Sequence, residues 1–328
     1  MSKLETSYLG LKLRNPVIVG SSGLTNSVEK IKKLEAAGAG AVVLKSLFEE
    51  QINHEINHHV QGSQGMDYPE AMDYISNYSR SHSVTDYLQL IKEAKAAVKI
   101  PVIASINCFS VDEWVDFAKQ IEGAGADALE LNLFVVNTDK NSVAADYENI
   151  YYQVADVVSG SIKIPVAMKL SPYFSNLVQV VDKLSVSGAK GVVLFNRFYE
   201  PDIDVNKLIL VSSEVFSSAA DIRRSLRWVA IVSDKINSMD VAASTGIHDG
   251  DAVIKMLLAG AKAVQTCSAV YKNGPEVVTE MVQRLSGWMD ENGFKSIEDF
   301  RGMMSYRKMK NPALYERAQF MKYFSDRE

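Results

Sequence analysis

Along these 328 residues, short and nearly unbroken apolar runs alternate with longer amphipathic stretches. Four times a helical segment ends in Gly-Ala-x-Ala/Gly and passes straight into an apolar run. The four are Gly38-Ala39-Gly40-Ala41 before VVLKS, Gly125-Ala126-Asp127-Ala128 before LELNL, Gly188-Ala189-Lys190-Gly191 before VVLFN, and Gly260-Ala261-Lys262-Ala263 before VQTCS. Glycine suits the left-handed residue that ends a helix, and alanine lets the helix end pack closely on a sheet. A second kind of join alternates with the first. Asn15-Pro16-Val17, Lys99-Ile100-Pro101-Val102 and Lys163-Ile164-Pro165-Val166 open an apolar run with proline, where no ladder donor is lost. Met239-Asp240-Val241 holds the fourth such position without the proline. Together the joins predict eight strands near 16–20, 41–47, 101–107, 128–133, 165–170, 191–196, 240–245 and 262–267. Runs apolar on both faces are what buried parallel strands require.

The stretches between read as helices. Ser110-Val111-Asp112-Glu113 is a capping box, followed by Trp114, Phe117, Ala118 and Ile121 at helical spacing. Eight strand–helix units in alternating register predict a single α/β domain, a (β/α)₈ TIM barrel over residues 1–300 with a C-terminal extension at 301–328. An open doubly wound sheet has no reason to show this alternation. Two connections are long, 48–83 after strand 2 and 197–220 after strand 6, and both leave the strand ends where barrel active sites are built. Leu4–Leu9 and Leu11–Arg14, about Gly10, predict a hairpin closing the opposite end.

Composition narrows the function classes. With 47% hydrophobic and 23% charged residues, a net charge of −5 and a pI near 5.7, the chain has no profile for general nucleic-acid or membrane-surface binding. No apolar run approaches the roughly 20 residues that span a bilayer. The opening MSKLETSYLG lacks the apolar core of a signal peptide. Cys108 and Cys267, the two cysteines, suit a reducing compartment. A cytoplasmic protein acting on a small molecule is expected.

Candidate chemistry sits at the strand ends. Strand 7 runs into Thr245-Gly246 before a helix starting near Asp249-Gly250-Asp251, and strand 8 into Cys267-Ser268 before another. Backbone N–H groups at two such turns, with small residues allowing close approach, suit a phosphoryl group. Lys45 and Lys169 end apolar strands, where a buried ammonium calls for an anionic partner. Asn107, Asn132, Asn137 and Asn196 add amides that donate and accept.

These landmarks, in order (Asn15-Pro16 through Gly20-Ser21-Ser22-Gly23, then VVLKS, SIN, LELNL, MKLSPYF, STGI and SAVYKNGPEVV), resemble those of the class 1 dihydroorotate dehydrogenases over most of residues 4–300. The resemblance implies FMN as cofactor, oxidation of dihydroorotate to orotate by hydride transfer to flavin N5, and a homodimer. It places Ser22, Gly23, Lys45 and Ser46 by the flavin ring, and Asn107, Asn132 and Lys169 on ring and ribityl groups. It places Thr245, Gly246, Cys267 and Ser268 on the phosphate, and Asn77, Asn137 and Asn196 by the substrate; Arg197, at the same mouth, suits either a bidentate substrate carboxylate or a surface role.

The departures matter equally. Where the family reads N-L-S-C-P-N, this chain reads Asn132-Leu133-Phe134-Val135-Val136-Asn137, so Val135 stands where a cysteine or serine should take the substrate's proton. An aliphatic side chain accepts no proton, and dihydroorotate turnover is expected to be slow or absent. Tyr74–Ser79 replaces a substrate-clamping stretch, leaving Asn77 as its one carry-over. Arg197 follows Asn196 where the family has serine, and Ser217-Ser218-Ala219-Ala220 replaces a glycine pair. Two further readings compete: a flavin- or ligand-binding protein without catalysis, and a zinc hydrolase built on His54-Glu55-Ile56-Asn57-His58. That motif has no evident third ligand.

Overall fold

The computed structural model describes residues 3–48, 69–107, 111–136, 138–197, 200–212 and 214–317, without the side chains of 48, 69–82, 111 and 112. Antiparallel β1 (Thr6–Tyr8) and β2 (Leu11–Leu13) form the expected hairpin. There follow β3 (Val17–Val19), β4 (Ala41–Val43), its short continuation β5 (Leu47–Phe48), β6 (Val102–Asn107), β7 (Ala128–Asn132), β8 (Val166–Leu170) and β9 (Gly191–Leu194). An exposed hairpin of β10 (Pro201–Asp204) and β11 (Ile209–Ser212) forms part of the insertion after the sixth barrel strand. The barrel then ends with β12 (Asp240–Ser244) and β13 (Ala263–Thr266). All barrel pairings are parallel, and β4 on β6 completes the ring, so the fold is a closed (β/α)₈ barrel.

Both predicted joins are physical devices. Gly38, Gly125, Gly188 and Gly260 have φ of 100°, 94°, 92° and 116°, the left-handed geometry that turns each helix back onto the sheet. At two of the proline joins a glutamate three residues before such a glycine serves the backbone ahead of the proline. Glu35 Oε1 accepts from Lys99 N (2.7 Å) and Ile100 N (3.2 Å), and Glu122 Oε1 accepts from Lys163 N (2.6 Å) and Ile164 N (3.1 Å). Asn15 ties the first join, accepting from Val17 N and donating to Gly38 O.

The barrel interior has two layers. The lower consists mainly of small inward residues, Ala41, Ala128, Ala167, Ala242 and Ala263 among them, beside the larger Ile18 and Ile103. Small residues leave room for Tyr8, Leu9 and Leu13 of the hairpin, which plug this end. Asp240 fastens the plug by accepting from Leu9 N at 2.7 Å, while pairing with Lys262 at 2.6 Å. Outside the strands a second apolar core packs against the helices. It includes Trp114, Phe117, Ala118 and Ile121 of the helix Val111–Ala124, whose predicted cap at Ser110 lies outside the described residues. Part of the C-terminal extension packs back on the barrel, with Gly302 N and Met304 N donating to Leu257 O and Leu258 O. Among the described residues no helix is long and apolar enough to cross a membrane.

Candidate active site

Side chains alternate along a strand, so a position two residues beyond an inward one points inward again. From Ile103, Ala128, Ala167 and Ala263 that step reaches Ser105, Glu130, Lys169 and Gln265, all buried and all polar. Lys169 Nζ donates to Glu130 Oε1 (3.3 Å) and to Gln265 Oε1 (3.0 Å), and Gln265 Nε2 donates to Glu130 Oε2 (2.5 Å). The anion expected near Lys169 is therefore supplied first by the chain itself. Glu130 and Gln265 were missed in the sequence because each interrupts a run that otherwise reads as apolar. Tyr8 lies beneath, its phenol held neutral by burial first and then by Glu130 and Asp240.

A serine chain continues the polar layer. Ser21 Oγ meets Ser46 Oγ at 3.0 Å, Ser46 Oγ meets Ser105 Oγ at 2.6 Å, and the backbone of Ser105 exchanges hydrogen bonds with Tyr87 Oη. Lys45 is half-buried in the break between β4 and β5, and Asn107 is half-buried at the end of β6. On the other side Asn196 Nδ2 donates to Asn132 Oδ1 at 2.9 Å.

A cavity of ≈ 200 Å³ opens over this layer. Of the expected residues, Lys169, Asn196, Arg197, Thr245, Gly246, Cys267 and Ser268 line it; Ser22, Gly23, Lys45, Ser46, Asn107 and Asn132 do not. Its rim toward β12 is unusual. Thr245 has φ 73°, rare for a β-branched residue, and its Oγ1 donates to Phe195 O. A Cβ on Gly246 would stand 2.1 Å from Ile222 N, so only glycine lets this turn approach the start of the preceding helix, Ile222–Lys235. Gly23 is less confined, since a Cβ there would meet only Tyr271 Oη, at 2.8 Å, the end of a side chain that can move. Ser22 caps the short turn at Gly23–Thr25 by accepting from Leu24 N. Asp249 caps the helix Gly250–Ala259 by accepting from Ala252 N, as its position predicts. Burial raises the pKa of the Cys267 thiol, against the lowering pull of Lys169.

The insertion reaches over this rim. Ser217 N donates to Ser268 Oγ, Ser217 Oγ meets His248 Nε2 at 2.9 Å, and Lys272 Nζ donates to Ser217 O. Arg197 anchors the same loop, giving Nε to Val215 O and Nη2 to Glu214 O, with Asp221 at 3.5 Å from Nη1. Three of its donors are thus taken up by its own chain.

Val135 is half-buried and packs against the outer core, while its carbonyl accepts from Tyr147 Oη at 2.5 Å. Tyr147, Tyr151 and Phe174 form a cluster of rings beneath that loop. Asn77 falls within the helix Pro69–Ala97, with its side chain outside the described residues, as are Asn137, Cys108 and the segment His54–His58.

A family model described as Dihydroorotate dehydrogenase matches residues 3–289. This chain belongs to the dihydroorotate dehydrogenase family. It is 28% identical over 312 residues to the dihydroorotate dehydrogenase B (NAD(+)) catalytic subunit of Thermoplasma volcanium, covering 92% of this chain and 99% of that protein. The dihydroorotate dehydrogenase A (fumarate) of Limosilactobacillus reuteri is 27% identical over 305 residues, 90% and 96% of the two chains. Methanothermobacter thermautotrophicus supplies another catalytic subunit of the B type, 25% identical over 313 residues, 92% and 98%. Dihydroorotate dehydrogenases are FMN flavoproteins, and the chain is an oxidoreductase of their kind.

Proposed function

We propose that this protein is an FMN-dependent oxidoreductase that keeps the family's cofactor side and has an altered substrate side, with weak or no activity on dihydroorotate. The observation that carries the reading is the contrast within one site: a braced lysine and a glycine-opened rim on one side, Val135 in the loop after β7 on the other.

The residues fit the cofactor. FMN, when bound, supplies a hydride acceptor at N5 and an anionic edge at N1 and O2 in its reduced form. Glu130 and Gln265 hold the Lys169 ammonium at a fixed height in the barrel, where it would face that edge. Ser22, Gly23, Lys45 and Ser46 would border the ring, and Asn107 and Asn132 would bind ring and ribityl groups. The turn at Thr245 and Gly246, with Cys267 and Ser268 opposite, would take the phosphoryl tail; the space a Cβ would fill at Gly246 is what the close turn requires. Asn132 holds the amide of Asn196, which lines the cavity and would meet a substrate, with Asn77 and Asn137 as further candidates.

The proton is the difficulty. Val135 offers no acceptor, and a general base is worth about 10²–10⁴-fold. Tyr147, beside it, already donates to the Val135 carbonyl. A substrate that gives up its second proton from a heteroatom would need no base at this position.

Purified protein should show the visible absorption of oxidised flavin; protein that stays colourless in excess FMN ends the reading. Val135→Cys should raise dihydroorotate turnover by about 10² or more, measured with an artificial electron acceptor. Family-like turnover by the unaltered protein would show that no base is missing. The same loop supports the reading without catalysis, which anaerobic reduction of the bound flavin by any metabolite would exclude.

A further inference from the structure

A second cavity, of ≈ 230 Å³, lies across a wall made by Asn196, Arg197 and Thr245, which line both chambers. Arg223 and Arg224 also line it, so three guanidinium groups border one space. The carboxylates there are Glu200 and Asp221, and Asp221 is already engaged: it accepts from Ser218 N (2.7 Å) and Ser218 Oγ (3.3 Å) and pairs with Arg197. Arg223 and Arg224 pair with no described residue. They are adjacent in the first turn of the helix Ile222–Lys235, which carries no acidic side chain there. Two neighbouring cations at that end of a helix are unfavourable; the N-cap Asp221 opposes them but is shared with Arg197 and Ser218, and Glu200 is the one other carboxylate lining the cavity. An anion in the cavity would offset them.

We propose that this cavity binds a phosphoryl group carried by a small molecule, at a site separate from the cofactor cavity. Guanidinium forks match the oxygens of a phosphoryl group two at a time, and stay charged at any working pH. Size limits the ligand. Pockets for drug-sized molecules run about 300–1,000 Å³, so this space suits a diphosphate or the phosphate ester of a short metabolite better than a whole nucleotide. Asn196 and Thr245 border the cofactor cavity as well, so titration with and without FMN separates this proposal from the flavin assignment.

The test is calorimetric titration of the full chain with inorganic pyrophosphate, with and without saturating FMN. Saturable one-to-one binding is expected in both conditions. Arg223→Gln and Arg224→Gln should each weaken it at least about tenfold, and Arg224→Lys, which keeps the charge and loses the fork, should fall between. Unchanged circular dichroism and FMN uptake would establish that these exposed substitutions leave the fold intact. No saturable binding, binding abolished by FMN, equal affinity in the doubly substituted protein, or malonate binding as tightly as pyrophosphate would each overturn the proposal.

Discussion

Two residues further along the same strands, the barrel interior changes from hydrocarbon to a hydrogen-bonded ion pair. Below, Ala128, Ala167 and Ala263 make room for Tyr8 and Leu9; above, Glu130, Lys169 and Gln265 hold one another. The lower layer resembles any close-packed core, and its residues are explained by volume. Volume does not explain the upper one. A buried ion pair is seldom more stable than an apolar replacement of the same shape, so a barrel selected for stability alone would repeat the lower layer upward. Barrel strands place chemistry at their C-terminal ends and stability at the other, and here the boundary falls within a single side-chain step.

The two layers should therefore break differently. The largest effect is expected from Glu130→Ala, which strands the Lys169 ammonium and should cost about 3–5 kcal/mol in chemical denaturation. Leu9→Ala, in the plug, should cost about 2–4 kcal/mol by leaving a cavity, with the visible spectrum of bound flavin unchanged. If Leu9→Ala alters that spectrum as much as Glu130→Ala does, the division into layers is wrong. Above the barrel, burial and then Lys272 depress the pKa of His248 below 6.5. The unfolded chain then binds that proton more readily than the folded one, so stability declines as pH falls below about 6.5. His248→Asn should flatten the melting temperature against pH between about 6.5 and 5; a parallel curve would remove this imidazole from the account. The smallest change is expected for Tyr8→Phe. Its buried hydroxyl has no hydrogen-bond partner among the described residues, so the substitution should shift stability by less than about 1 kcal/mol.

The fold could be read from the chain because its joins are local. A glycine that ends a helix and a proline that opens a strand impose their geometry whatever surrounds them, and both sets alternate through the whole barrel. The site was only half legible. Lys169 stood out as a cation at the end of an apolar run, yet the same logic applied to Glu130 and Gln265 would have found its partners: each lies two positions beyond an alanine that faces inward. The roles of Arg197, Ser217 and Lys272 were beyond reach. They depend on where a long insertion docks, and nothing local to those residues records that. Asn77 was placed by resemblance alone.

The position of Arg197 has a thermodynamic consequence. One guanidinium grips two carbonyls of the covering loop and forms part of the partition between neighbouring chambers. If an occupant of the outer chamber draws that group away from Asp221, it changes how tightly the loop closes over the inner one. Linkage then works in both directions: whatever factor the outer occupant applies to affinity within, the inner occupant must apply to affinity without.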